Sequence, residues 1–349
     1  MQLDDVHAMK VARGGKRADA LRWGFVGTGG IANAMAHTVT LTPKAELVAV
    51  SSRSMALAKL FAEKHGADQA FDSWADMLIS NEIDAIYVAT PTSVREEISV
   101  AAAHAGKHVL AEKPFASLQS MQNIIAACRE NNVGFMDATH FVHHPRTHQI
   151  RKLKADTVGR TWSVASAFQF TLSDRGDIRY KPELEPMGAI GDAGWYNMRA
   201  AVEYLAPSAE LECANAHIRR DAETGAAVSG SGVLRFTDGS TSTWDCGFDS
   251  GAVVMDLRIS GTRGSVNIDD FLGQSPDGSA DYLHRASGWS PGSESTTVKV
   301  ASPLPGSAIM FEDFAAMAAE PSLREHWANG SIRTQTLLDA VWLSAIENE

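Results

Sequence analysis

Residues 24–36 read GFVGTGGIANAMA: an apolar run, then Gly27-x-Gly29-x-x-Ala32, then a small-residue stretch. The preceding LRWGFV at 21–26 has the short, continuous apolar character of a strand covered on both faces, and 31–40 reads as a helix. Between them Gly27 permits a tight turn, Gly29 lets the backbone come close to a ligand, and Ala32 lets the helix pack against the sheet. Strand, glycine turn and helix in that order form the setting in which this spacing cradles a dinucleotide. The free N–H groups and positive end of the helix then face the pyrophosphate. Without a ligand the same residues would be a glycine-rich turn. A second strand, ELVAVS at 46–51, lies at the distance a nucleotide-binding unit requires.

The end of that second strand bears on which dinucleotide is bound. NAD sites place a carboxylate there to accept from the ribose 2′-OH. This chain has Ser51, Ser52, Arg53 and Ser54 instead. Three hydroxyls and a guanidinium suit a 2′-phosphate, so NADP is expected over NAD. The plainer role for these residues is a helix start capped by serine.

Strands and helices continue to alternate: a helix at 54–65, DAIYVAT (84–90), a helix at 93–105, KHVLAE (107–112), a helix at 117–131 and VGFMDA (133–138). This pattern predicts a doubly wound parallel sheet. After about residue 155 alternating runs take over, at 161–170, 230–248 and 253–269, with TDGS and GTRG as turns. Residues 273–295 read as a long loop, and two helices near 307–320 and 332–347 close the chain. The expected fold is α/β: an N-terminal domain at 21–140 on a doubly wound parallel sheet, then a second, largely antiparallel domain at 141–349. Residues 1–20 form an extension, and the final helix can pack back on the first domain. In the run WSVASAFQF, Trp162, Val164, Ser166, Phe168 and Phe170 share one face, and small residues on the other suit flat packing against a second subunit or a helix.

The 349 residues are 44% hydrophobic and 21% charged, with a formal charge of −11. That charge disfavours nucleic acid, and no apolar run reaches the roughly 20 residues of a membrane span. Three scattered cysteines with no CxxC fit a reducing, cytoplasmic setting.

Two further constellations carry chemistry. Glu112-Lys113-Pro114 ends the strand at 107–112, where ligands bind in such sheets, and Pro114 restricts Lys113 to extended geometry. A lysine there can point into a nicotinamide crevice. In GAIGDAGWYNMRAAVEYL (188–205), Asp192 and Tyr196 are four apart and share a face if helical. In HFVHHPRTH, the spacing of His140, His144 and His148 would suit zinc on one helix. Pro145 interrupts such a helix and no HExxH glutamate is present, so no metal is expected. Some of these histidines line the substrate cleft, or His144 and Arg146 begin a helix beside it.

Together GTGGIA, ATPTS (89–93), GKHVLAEKP (106–114), GDAGWYN (191–197) and RTQTLLDAVWLSA (333–345) resemble the Gfo/Idh/MocA oxidoreductases, over about residues 21–347, and especially the plant and microbial branch with GDAGWY. The resemblance implies an N-terminal Rossmann domain followed by an α/β domain built on a large, mainly antiparallel open sheet. It also implies hydride transfer between a nicotinamide and a carbonyl or secondary alcohol of a sugar, cyclitol or related polyol, in a homodimer or higher homo-oligomer. It implies cofactor contacts from Gly27, Thr28, Gly29, Gly30, Ile31, Ala32, Ser52, Arg53, Ser54, Thr90, Pro91, Thr92, Glu112 and Lys113. Lys113, Asp192 and Tyr196 match the family's catalytic positions, and His144, Arg146, Trp195 and Asn197 are expected on the substrate side. The chain departs from the family pattern at Arg95, where members often have His, and at Val142, where they often have Arg.

Reduction of a carbonyl needs a proton for the forming alkoxide. Tyr196 can give it if the Lys113 ammonium lowers a phenol pKa that is ordinarily about 10. Alternatively Lys113 is the donor and Tyr196 orients the substrate. Asp192 would hold Lys113 or a substrate hydroxyl. Other readings are a dihydrodiol dehydrogenase-like activity, redox-neutral chemistry on a retained cofactor, and an NADP sensor without turnover.

Overall fold

The structure, a computed structural model, describes residues 20–205, 209–275, 277–288 and 294–349. Apart from Ala20, the expected N-terminal extension lies outside the described residues.

β1 (Leu21–Val26) runs through the glycine turn into α1 (Gly30–Val39), and β2 (Ala45–Ser51) leads to α2 (Met55–His65). β3 (Gln69–Phe71), α3 (Trp74–Leu78), β4 (Ala85–Val88), α4 (Thr92–His104), β5 (His108–Ala111), α5 (Leu118–Glu130) and β6 (Phe135–Asp137) follow. The strands form one parallel sheet in the order β3-β2-β1-β4-β5-β6. The chain reverses its direction of winding between β1 and β4, which opens a crevice beyond their carboxyl ends. β4 is buried along its whole length, as an apolar strand with helices on both faces must be. β3 and α3 have no counterpart in the sequence reading; β3 is three half-buried residues, too short for a periodic signal.

A 3-10 turn at His140–His143 leads to α6 (Pro145–Thr157) and β7 (Thr161–Thr171). Another at Ile178–Tyr180 precedes α7 (Gly188–Asp192) and α8 (Gly194–Tyr204). Then come β8 (Leu211–Arg220), β9 (Ala227–Phe236), β10 (Thr241–Gly247), β11 (Asp249–Val254), β12 (Leu257–Gly261), β13 (Gly264–Ile268), β14 (Ala280–Ala286) and β15 (Ser295–Val300). α9 (Gly306–Ala319) and α10 (Arg324–Glu347) end the chain. The second sheet has the order β15-β14-β13-β12-β7-β10-β9-β8, with β11 also on β7, and is antiparallel except for β7 with β10.

Two expectations need correction here. The stretch 273–295 is not all loop: β14 pairs with β13 and β15 inside it. Trp162 does not join Val164 on the inner face. A bulge opposite Ser260 and Gly261 displaces it, leaving Trp162 48% exposed while Val164 is buried.

α7, α8 and α10 cover one face of this sheet. Val233, Arg235, Thr243 and Arg258 on the other face are exposed. The two closing helices tie the domains together. Met310, Phe311, Phe314 and Met317 of α9 pack with Trp23 and Phe25 of β1. Trp23 meets Phe311 edge-on at 5.0 Å and Phe314 at 4.7 Å between ring centroids.

Candidate active site

The glycine turn behaves as its spacing requires. Gly27 has φ +112°, and a Cβ there would run into the Ala89 carbonyl. Gly29 and Gly30 face open space, where a Cβ would meet nothing within 4 Å, and Ala32 is fully buried against the sheet. α1 begins at Gly29 without a side-chain cap, so the amides of Gly30, Ile31 and Ala32 have no helical acceptor. Asn33, which the sequence reading passed over, pins the turn by donating to the carbonyls of Thr28 (3.1 Å) and Gly29 (3.0 Å). Thr28 Oγ1 lies 3.5 Å from Ser52 Oγ, Arg53 is exposed beside it, and Ser54 caps α2 by accepting from the Leu57 amide. The donors suited to a 2′-phosphate are therefore gathered at the end of β2, although one serine also has its capping role.

Thr90, Pro91 and Thr92 join β4 to α4. Thr90 Oγ1 is buried with no hydrogen-bond partner among the described residues, an orphan a ligand can satisfy. Thr92, by contrast, is held by Glu185, which accepts from its amide at 2.9 Å and its hydroxyl at 2.6 Å. Arg95 is buried and donates to the carbonyls of Thr90 and Pro114, tying this turn to the end of β5. Glu112 is buried and accepts from Tyr87 Oη at 2.5 Å, beneath the crevice. Burial pushes its carboxyl up against the opposing pull of Lys113.

Lys113 follows β5, and its bond to Pro114 is cis. Its Nζ donates to Asp192 Oδ1 at 2.5 Å and to the Asp192 carbonyl at 2.9 Å. Asp192 closes α7, which lies close to this turn because residue 191 is glycine: a Cβ there would stand 2.9 Å from Pro114 Cγ. Arg179, from the 3-10 turn before α7, donates through Nε to Asp192 Oδ2 at 2.6 Å. Burial works to raise the Asp192 pKa, but Lys113 and Arg179 outweigh it and hold the carboxyl well below its usual range.

Tyr196 stands in the first turn of α8. Its ring centroid is 4.9 Å from Lys113 Nζ, 5.8 Å from the His140 ring and 5.5 Å from Phe168. The structure thus brings Lys113, Asp192 and Tyr196 together. It corrects the expected electrostatics of the phenol. Burial, with the charges of Glu112, Asp192 and Asp137, raises the Tyr196 pKa well above its ordinary value. The Lys113 ammonium is engaged by Asp192 rather than by the phenol oxygen.

The four residues expected on the substrate side are directed elsewhere. Trp195 is fully buried and donates to Thr139 Oγ1 at 2.7 Å, and buried Asn197 donates to Ser166 Oγ at 2.9 Å. Buried His144 is 2.8 Å from the Gly278 carbonyl through Nε2, and its Nδ1 accepts from the Arg146 amide at 3.0 Å. Arg146 is buried and donates to the carbonyls of Phe271 and Asp281. His140, His144 and His148 do not share a helix: the first is in a 3-10 turn, the second follows it, and the third is in α6.

The family model described as the oxidoreductase family with an NAD-binding Rossmann fold matches residues 21–139, and the GFO/IDH/MocA C-terminal domain model matches residues 148–267. The chain belongs to the Gfo/Idh/MocA oxidoreductase family. It is 33% identical over 252 residues to dTDP-3,4-didehydro-2,6-dideoxy-alpha-D-glucose 3-reductase of Streptomyces antibioticus, covering 71% of this chain and 75% of that one. It is 28% identical to D-xylose 1-dehydrogenase (NADP(+)) 2 of Haloferax volcanii, over 77% of this chain and 82% of the other. Among solved structures, a 3-ketoreductase from Actinomadura kijaniata in complex with NADP and TDP-benzene superposes with a TM-score of 0.84 at 25% identity, covering 93% of this chain and 98% of that one. This Gfo/Idh/MocA protein is an oxidoreductase, and its relatives' names describe sugar reductases and dehydrogenases. No described helix is long and apolar enough to cross a membrane.

Proposed function

We propose that this protein is an NADP-dependent oxidoreductase acting between a carbonyl and a secondary alcohol of a sugar, cyclitol or related polyol. The observation that carries this reading is the meeting of Lys113, Asp192 and Tyr196 at the strand ends of a sheet whose glycine turn faces open space. The residues present fit NADP. Gly29 and Gly30 leave room for a pyrophosphate over uncapped amides, and Ser52 and Arg53 offer donors where NAD sites have a carboxylate. The NADP named for the Haloferax volcanii relative and for the Actinomadura kijaniata complex supports the same choice.

When bound, NADP supplies hydride chemistry at its nicotinamide ring. Lys113 brings positive charge to the substrate oxygen, and Asp192 and Arg179 fix where that charge sits. Tyr196 is the proton donor in reduction: burial makes its hydroxyl a weaker acid than a free phenol and keeps it protonated at neutral pH. It is still a stronger acid than the alcohol being formed, so it can protonate the alkoxide without the lowering by Lys113 that the sequence suggested. It makes no hydrogen bond to a described residue that would compete with substrate. Phe141 and Phe168 against its ring keep water from that side.

The test is NADPH and NADH oxidation across keto-sugars, anhydro-sugars, diketones and dihydrodiols. Turnover with NADPH and a sugar ketone is expected. Cofactor retained through purification with no NADPH consumed on any of them would instead favour redox-neutral chemistry. The exposed face of the second sheet is proposed as the contact of a homodimer.

A further inference from the structure

We propose that His140 contacts the substrate and selects carbonyl compounds that carry a hydroxyl on the neighbouring carbon. The inference rests on the reductase reading above and names the substrate class for the same site.

His140 begins the 3-10 turn after β6, the strand beside β5, which leads to Lys113. Its backbone is fixed from behind: a Cβ on Gly306, at the start of α9, would stand 2.9 Å from the His140 carbonyl. The imidazole approaches the same ring as Lys113, 5.8 Å from the Tyr196 centroid and inclined at 56°, against 4.9 Å for Lys113 Nζ. A carbonyl oxygen between Tyr196 and Lys113 therefore places the rest of the molecule within reach of this imidazole.

Three other histidines of the interior have structural partners. His108 accepts from the Gly134 amide, His143 pairs with Asp313, and His144 bonds the Gly278 carbonyl. The His140 ring makes no hydrogen bond to any described residue, and the residue keeps partial exposure. Its ring nitrogens therefore remain available to a molecule that enters the crevice. Burial, with the positive charges of Lys113 and His143, holds its pKa at about 4. At neutral pH it is an uncharged imidazole with one donor and one acceptor nitrogen. That pairing suits a hydroxyl, which also donates and accepts, better than a carboxylate or phosphate, which would use only the donor nitrogen. The reaction is then an α-hydroxy ketone, NADPH and a proton giving a vicinal diol and NADP. Tyr196 supplies the proton, and His140 holds the second hydroxyl without changing its protonation.

The test compares kcat/KM for NADPH-dependent reduction of 2-hydroxycyclohexanone and cyclohexanone, with NADPH affinity and thermal midpoint recorded for each variant. The wild type should prefer the hydroxy ketone by about tenfold, the value of one hydrogen bond, chiefly through KM. His140→Leu should lose that preference, and His140→Asn, which keeps a donor and an acceptor, should restore part of it. Wild-type turnover with an unchanged preference in a folded His140→Leu, or in His140→Phe if the leucine variant melts early, overturns this inference alone. A wild type that consumes NADPH with no ketone at all overturns the reductase reading and this one with it.

Discussion

Replacing Asp192 by asparagine keeps the side-chain shape and removes the one negative charge that two cations share. Lys113 Nζ is 2.5 Å from Oδ1 and Arg179 Nε is 2.6 Å from Oδ2, so after the change both face a neutral amide. The Lys113 side chain is 8% exposed and that of Arg179 is 35% exposed. Water can therefore screen the arginine, and the loss falls mainly on the lysine. Breaking one side of a buried pair costs about 3–5 kcal/mol. The amide oxygen still accepts one hydrogen bond, which returns about 1 kcal/mol. The remaining 2–4 kcal/mol or so, read as displacement of Lys113 in the transition state, corresponds to a turnover reduced about 30- to 1000-fold. Arg179→Met leaves the lysine pair in place and should cost about tenfold, one hydrogen bond to a charge. The assay is single-turnover ketone reduction at saturating NADPH, with cofactor affinity from tryptophan fluorescence and a thermal melt for each variant. If Asp192→Asn turns over within threefold or so of wild type while folded and binding NADPH, the carboxylate does not position Lys113 and the argument fails.

Tyr196→Phe should lower turnover by about 10²–10⁴-fold with NADPH affinity unchanged. Near-normal turnover would move the proton to Lys113. Arg53→Ala should weaken NADPH and leave NADH nearly as before, because a solvent-facing guanidinium serves only the 2′-phosphate; equal loss for both cofactors in a fluorescence titration would refute that role. Burial, with the charge of Arg324, lowers His108 from 6.5 to about 4, so between those values the unfolded chain binds a proton that the fold refuses. Stability should therefore fall as pH drops from 6.5 toward 4, by about 1–3 kcal/mol for this group, and His108→Gln should flatten that part of a urea-denaturation profile. Light scattering at micromolar concentration should give the mass of a dimer; a monomer would leave the open sheet face without its proposed role.

What the sequence disclosed follows physical signal strength. β1 was legible to the residue, since LRWGFV is apolar, uninterrupted and bounded by a glycine turn, and Gly27 has the positive φ its motif predicts. Lys113 and Asp192 could be named from their motifs, but the ion pair joining them depends on Gly191 packing on Pro114, which no local pattern encodes. Arg179 went unread for a related reason: it reaches Asp192 from an irregular turn with neither period nor motif. β14 was hidden because ADYLHRA is short and its strand character comes from partners on both sides. His140 could be singled out only as one histidine among several; a 3-10 turn, not a helix, turns it toward Tyr196. The raised pKa of Tyr196 was missed because it comes from burial, which only the packed fold creates, and from three carboxylates on separate elements.

The docking of α9 on β1 has a consequence for synthesis. Trp23 lies in β1, and it is completely buried only when Phe311 and Phe314, far along the chain, arrive beside it. The nucleotide-binding half therefore emerges with its central strand bearing an uncovered indole, and must wait until the whole second sheet and then α9 have been made before that surface closes. Contacts this distant along the chain are formed late and slow folding. Through that interval the nascent chain presents a sticky apolar strip to its surroundings, which makes it a client for chaperones during translation. A fragment ending at the border between the two sheets would carry the same strip permanently and should aggregate, even though every strand of its own sheet is present.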